Sequence, residues 1–334
     1  MQKLGLFSIL LASVIISSCR NHPLDVDVSG IKIDPVKIQR FEKDLFQAPF
    51  NPARLSKVYG DFYRGFVETG PFCPNGMEDP ACQEGIRGFV LDKDMRRAFE
   101  ESEKEYPSMD EYENQVSDAF RHFKYYFPEK PLPTVYTIMS GFNFNILRLD
   151  KSIGIGLEMY LGSGSDFYPR LEFPKYKTNK MRKEYVIPDF VRGWMLTEFE
   201  EKNPKPDFLT HIIDEGKIAY LVDAMLPRME DSLKIGFSPA QLDWCKRNEG
   251  HMWSFFIKKK LLYSTDYQEI IQFTNDGPFT TGFAKESPPR TGTWIGWQIV
   301  KSFMDRNKNI SIKQLMELKD AQKILAAAYY KPKI

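Results

Sequence analysis

Histidine is scarce in this chain. His22, His122, His211 and His251 are the only four in 334 residues, and no two stand in a His-x-x-x-His spacing. That excludes the His-Glu-x-x-His helix of a thermolysin-type zinc peptidase, where paired imidazoles bind the metal and the glutamate activates water. Cysteine is equally sparse, and none of the four forms a Cys-x-x-Cys pair that would suit a thiolate zinc site. Gly-x-Ser-x-Gly does not occur, and Gly154-x-Gly156 is too short for a dinucleotide fingerprint. Charge of one sign is not in excess either. Lys plus Arg is 46 against 45 Asp plus Glu, a net charge of +1, without the basic surplus of a nucleic-acid binder. Low-complexity stretches and internal repeats are missing.

What remains is a globular composition, 42% hydrophobic and 14% aromatic, sufficient for a large core. The start of the chain is an export signal. Lys3 precedes an apolar run over 4–16 that is too short to span a bilayer, and Ser17-Ser18-Cys19 follows it. Small residues before a cysteine are what a lipoprotein signal peptidase requires. We therefore expect residues 1–18 to be a signal peptide, Cys19 to carry lipid, 19–30 to be a tether and 31–334 to be one globular domain. Export implies an oxidising compartment, so Cys73 and Cys82, flanking a loop-rich stretch, are expected to form a local disulfide. Cys245 is left unpaired.

Periodicity predicts helices over 35–46, 62–67, 95–106 and 110–127, and a strand over 30–34. Three more strands follow at 134–138, 144–149 and 152–157, the last two joined tightly at Asp150-Lys151. Ser238-Pro239-Ala240-Gln241 is a capping box opening a helix to about residue 263, and 294–304 is another helix. There Gly292 and Gly296 leave room for close backbone approach. The fold class expected is α+β, mainly helical around one small sheet.

The chain is organised around a predicted helix pair, 185–201 and 207–226. Asp207 is a suitable N-cap for the second, and Pro227 ends it. Its apolar stripe reads Phe208, Ile212, Ala219, Val222, Leu226, and Glu215 falls on that stripe with His211 one turn before it. A carboxylate there must be paired, hydrogen-bonded, metal-bound or protonated. Arg192 and Arg290 are candidate cationic partners, and His211 with Glu215 is a candidate metal pair. The layout matches a gluzincin metallopeptidase, with Glu215 at the third-ligand place. The first helix, however, reads Arg192-Gly193-Trp194-Met195-Leu196 where two histidines are needed. Trp194, Trp253, Trp294 and Trp297 are candidates to line a ligand cleft.

Several stretches together resemble a known family. Cys19, Ile38-x-Arg40-Phe41-Glu42-Lys43-Asp44-Leu45-Phe46, Tyr160-Leu161-Gly162, Glu215-Gly216-Lys217-x-x-Tyr220 and Pro289-Arg290-Thr291-Gly292-Thr293-Trp294-Ile295-Gly296-Trp297 are similar to the gliding motility lipoproteins of the GldB family, from the Bacteroidetes. The resemblance implies a cell-envelope lipoprotein needed for gliding, associated with type IX secretion and without an established enzymatic activity; the favoured reading is a non-catalytic lipoprotein that binds other gliding or secretion-machinery envelope proteins. The Glu215-Gly216 helix and the 292–297 segment also resemble predicted zinc-dependent proteases, which implies a relative whose zinc site has degenerated around Arg192, His211, Glu215 and Arg290. No catalytic residue, metal or cofactor is assigned, and no nucleic-acid partner is expected. A zinc-dependent hydrolase with an atypical ligand set is the competing expectation. The expected location is the periplasmic side of the outer membrane, because Arg20-Asn21-His22-Pro23 follows the cysteine rather than an acidic run.

Overall fold

The computed structural model describes residues 22–73, 75–77, 79–199 and 206–333. Cys19 and the linker positions 203–205 lie outside the described residues. A four-stranded sheet is built from β1 (Gln39–Arg40), β2 (Thr134–Ile138), β3 (Ile146–Leu149) and β4 (Ser152–Gly156), in the order β1-β2-β4-β3. Strands β1, β2 and β4 run parallel, and β3 turns back antiparallel onto β4 through Asp150-Lys151.

Helices surround it. The N-terminal half supplies α1 (Phe41–Leu45), α2 (Pro52–Thr69), α3 (Pro80–Leu91), α4 (Lys93–Glu105) and α5 (Asp110–Tyr126). Short α6 (Phe167–Arg170) and α7 (Lys175–Thr178) lead to α8 (Val186–Phe199) and α9 (Phe208–Met225). Then come α10 (Asp231–Ile235), α11 (Pro239–Lys258), α12 (Tyr267–Thr274), α13 (Thr291–Arg306), α14 (Ile312–Glu317) and α15 (Ala321–Ala328). The expected α+β class, helix-dominated around one small sheet, is what the structure has.

The sheet separates two apolar cores. Val135, Ile153 and Ile155 face the larger one, built on α5, α8, α9, α11 and α13. Tyr136, Ile138 and Leu147 face the smaller one with α1 to α4. This is the period-two alternation of a strand buried on both faces. The disulfide joining Cys73 to Cys82 ties the start of α3 into the smaller core, with Cα atoms 4.4 Å apart.

Helix α9 is the axis of the larger core. Asp207 caps it by accepting from the Thr210 N–H, and its last turn stops before Pro227. The stripe read from sequence is buried, yet it understates the burial: every residue from Gly216 to Met225 is enclosed. Helix α13 crosses α9 at glycine. A methyl group on Gly296 would lie 1.7 Å from the Ile212 carbonyl oxygen, and one on Gly216 would lie 2.3 Å from the Gly296 carbonyl carbon. Only backbone lacking Cβ permits this approach.

Four sequence expectations need correction. Residues 30–34 alternate in burial but pair with no strand, so they form extended chain rather than sheet. The helix expected over 35–46 shrinks to α1, because β1 occupies residues 39–40. The helix expected to reach residue 263 ends at Lys258, and Leu261–Tyr263 forms a separate 3-10 turn. The segment expected to be a tether is packed from its first described residues onward. Leu24 and Val28 are buried, and Asp25 receives the Arg228 guanidinium at 3.0 Å. No helix among the described residues is long and apolar enough to cross a membrane.

Candidate functional site

The expected site residues occupy one region where α8, α9 and the start of α13 meet. Arg192 lies in the middle of α8 and Glu215 in the middle of α9. Arg192 Nη2 donates to Glu215 Oε2 at 2.6 Å, with about a fifth to a quarter of each side chain exposed. Burial raises the Glu215 pKa, but the Arg192 guanidinium, with His211 and Arg290, outweighs it and holds the carboxyl below its ordinary value. His211 stands near enough to both Asp214 and Glu215 to act on their charges. The carboxylate at the third-ligand place is thus neutralised by a guanidinium.

Arg290 is the residue before α13. Its backbone takes the left-handed conformation, φ 56°, uncommon for a residue with a side chain. That turn carries the guanidinium back over α10, where Nη2 donates to the Ile235 carbonyl at 2.6 Å and the group lies over the Phe237 ring. Gly236, also left-handed, lies beneath it: a Cβ there would be 3.2 Å from Nη2. Burial and the neighbouring Arg192 pull the Arg290 pKa down, while Asp276 and Glu215 raise it.

Beside these residues opens a cleft of about 610 Å³. Three groups in it were not singled out from sequence. Asp189, in the first turn of α8, accepts from Tyr160 Oη at 2.9 Å and from Asn145 Nδ2 at 3.3 Å. Its burial pushes the carboxyl pKa up, against the pull of Tyr160 and Lys180. Lys180 reaches Asp276 at 2.8 Å, and burial with the Arg290 charge lowers its pKa. A charged residue inside Val186-Ile187-Pro188-Asp189-Phe190-Val191 was the one sequence signal available. Lys180 and Asp276 sit in loops with no periodicity to betray them.

The four tryptophans do not line the cleft. Trp194, Trp294 and Trp297 are buried in the larger core, and Trp253 packs edge-on against Tyr330. Large aromatics at helical spacing served packing here.

A second polar cluster lies at the far end of α9. Asp223, fully buried, receives Lys234 Nζ at 2.5 Å, Lys301 Nζ at 3.3 Å and His22 Nε2 at 3.4 Å. Asp231 receives Lys234 at 2.8 Å. His22, Asp223 and Asp231 bring three metal-type ligand atoms within 4.8 Å of one another. The two ammonium groups already provide the positive charge these carboxylates require, so the arrangement is that of an ion-pair network.

The match to known proteins is decided by extent. Residues 21–332 of the 334 match the family described as gliding motility protein GldB. The chain belongs to the GldB family. Membership places it in gliding motility and, by the family's name, among lipoproteins of the cell envelope. Two of the stretches that suggested GldB meet in space: Gly216 of α9 packs against Gly296 and Trp297 of α13, and Arg290 directly precedes α13. No curated protein and no solved structure matches the chain.

Proposed function

We propose that this GldB-family chain is a non-catalytic lipoprotein that serves gliding by engaging other envelope proteins, in association with the type IX secretion machinery. The observation that carries the reading is the Arg192–Glu215 pair. In a peptidase of this helix layout the first helix brings imidazoles and the second a carboxylate to a shared metal. Here the first helix brings a guanidinium, which satisfies the carboxylate directly. The paired helices with Glu215 on the second support reading the core as peptidase-like, its zinc motif lost. A zinc hydrolase with an unusual ligand set is the competing reading. Its best ligand group, His22, Asp223 and Asp231, is already held by Lys234 and Lys301.

Lipid on Cys19 would hold the domain close to its membrane. Three residue steps separate Cys19 from His22, at most about 11 Å of chain. From there the chain is packed, through Leu24, Asp25 and Val28. We place the protein on the periplasmic side of the outer membrane, where it meets its partners. Cross-linking in gliding cells tests this: the protein is expected to be trapped with a second envelope protein, and secretion of type IX cargo to fall when it is removed. A protein recovered only as uncross-linked monomer, with secretion intact, would contradict it.

A further inference from the structure

The cleft beside the Arg192–Glu215 pair has two kinds of wall. One is apolar, with Phe142, Ile146, Met159 and Leu196. The other is cationic, with Lys177, Lys180 and Arg290. Lys180 and Arg290 share one carboxylate, Asp276. Lys180 Nζ is 2.8 Å from it, but Arg290 Nε is 3.8 Å away, an ion-pair distance beyond hydrogen-bond reach. Arg290 Nε is closed off from solvent and has no hydrogen-bond partner. The side chain is 13% exposed, and its guanidinium is held by the Ile235 carbonyl and the Phe237 face.

The Nε–H is sealed away from the cleft, so what Arg290 presents to a ligand is the 13% of its side chain left open along the cleft wall. Two further features bear on that opening. The other cleft carboxylate, Asp189, is hydrogen-bonded by Tyr160 and Asn145, and its charge acts on Lys180 and Arg290 without an ion pair to either among the described residues. Lys177 stands exposed at the rim and forms no ion pair among the described residues. Burial and a neighbouring guanidinium hold the pKa of both Lys180 and Arg290 down despite Asp276 and Asp189, and an incoming anion adds to that counter-charge. The cavity's size, about 610 Å³, is that of a small-molecule site lined by apolar groups with a few fixed polar ones.

We infer that this cleft binds an organic carboxylate, its apolar body against Phe142, Met159 and Leu196 and its carboxylate between Arg290 and Lys180. Arg290 offers the planar donor geometry that carboxylates favour, and Lys180 adds a point charge. Lys177 attracts the anion to the mouth. The same chemistry is presented by a free aliphatic acid and by the C-terminus of a peptide ending in an apolar residue.

Calorimetric titration of the full chain in lipid discs separates these sources. The probes are octanoate with its neutral twin octanamide, the tripeptide Ala-Ala-Leu with its C-terminal amide, and inorganic phosphate. At least one acid is expected to bind saturably, at least tenfold tighter than its amide, and the acid that binds names the source. Arg290→Lys is expected to weaken binding about tenfold and Lys177→Glu several-fold. Lys177 is exposed, so its variant keeps the wild-type melting temperature and decides the matter even if the Arg290 variant does not fold. Amides binding as well as acids, phosphate binding as tightly as either acid, no saturable binding of either acid, or unchanged affinity in folded Lys177→Glu would each overturn the inference.

Discussion

Arg192 Nη2 and Glu215 Oε2 stand 2.6 Å apart and join the middle of α8 to the middle of α9. Removing one partner takes from the other, partly buried side chain its counter-charge at 2.6 Å, which destabilises more than the pair itself contributes. Glu215→Ala is expected to lower unfolding free energy by on the order of 2 kcal/mol, read by urea denaturation. The double variant Arg192→Met with Glu215→Ala should be less destabilised than the sum of the singles. Strict additivity would mean the two side chains do not couple.

The same pair sets a pH dependence. The folded Glu215 pKa lies below the ordinary value of 4.5. Its contribution is therefore complete above the unfolded pKa and is lost as pH falls through the lower folded one. Melting temperature measured from pH 6 downwards should fall less steeply in Glu215→Gln than in the wild type. Parallel profiles would show that the pair carries no linked proton.

Much of this region was legible in the sequence, for local reasons. Asp207, Pro227 and the Ser238–Gln241 box are chain-end signals that act within four residues, and each marks the helix boundary it should. Glu215 on an apolar stripe called for a partner, and the partner is one helix away. The rest of the cleft was not legible, because Asn145, Lys180, Asp189 and Asp276 come from the chain before a strand, two loops and a helix start far apart in sequence. The alternation over 30–34 failed for a different reason. Ile31 and Ile33 are half-buried against the domain, which gives the period of a strand without a neighbouring strand to bond.

The glycine crossing should tolerate nothing larger. Gly296→Ala places a methyl group against the Ile212 backbone, which cannot move aside as a side-chain tip can. A loss of about 3 kcal/mol or more is expected, the upper range for overpacking. Gly30→Ala, where no atom lies within 4 Å of the added carbon, is the control and should unfold like the wild type. Equal stability of the two variants would disprove the tight crossing.

Lys234 carries the buried Asp223. With Asp223 wholly enclosed and Lys234 2.5 Å away, Lys234→Met leaves the Lys301 ammonium, 3.3 Å away, as its remaining lysine partner. The expected loss is about 3 kcal/mol, within the range for breaking a buried pair. Chemical denaturation reads it, and a loss below the error of extrapolation would mark the network as dispensable.

Reducing the Cys73–Cys82 disulfide should loosen the smaller core more than the larger. The bridge closes a nine-residue separation, for which chain entropy gives about 2–3 kcal/mol. Hydrogen exchange after reduction should rise in α2 and α3 and stay unchanged in α9. Uniform acceleration throughout would mean the two cores unfold as one.

The central claim is that Glu215 answers to a guanidinium and not to a metal. Zinc content of the purified full chain, with its melting temperature before and after chelator, tests this most directly. We predict no stoichiometric zinc and an unchanged melting temperature. One zinc per chain, with a chelator-induced fall in melting temperature, would contradict the non-catalytic reading.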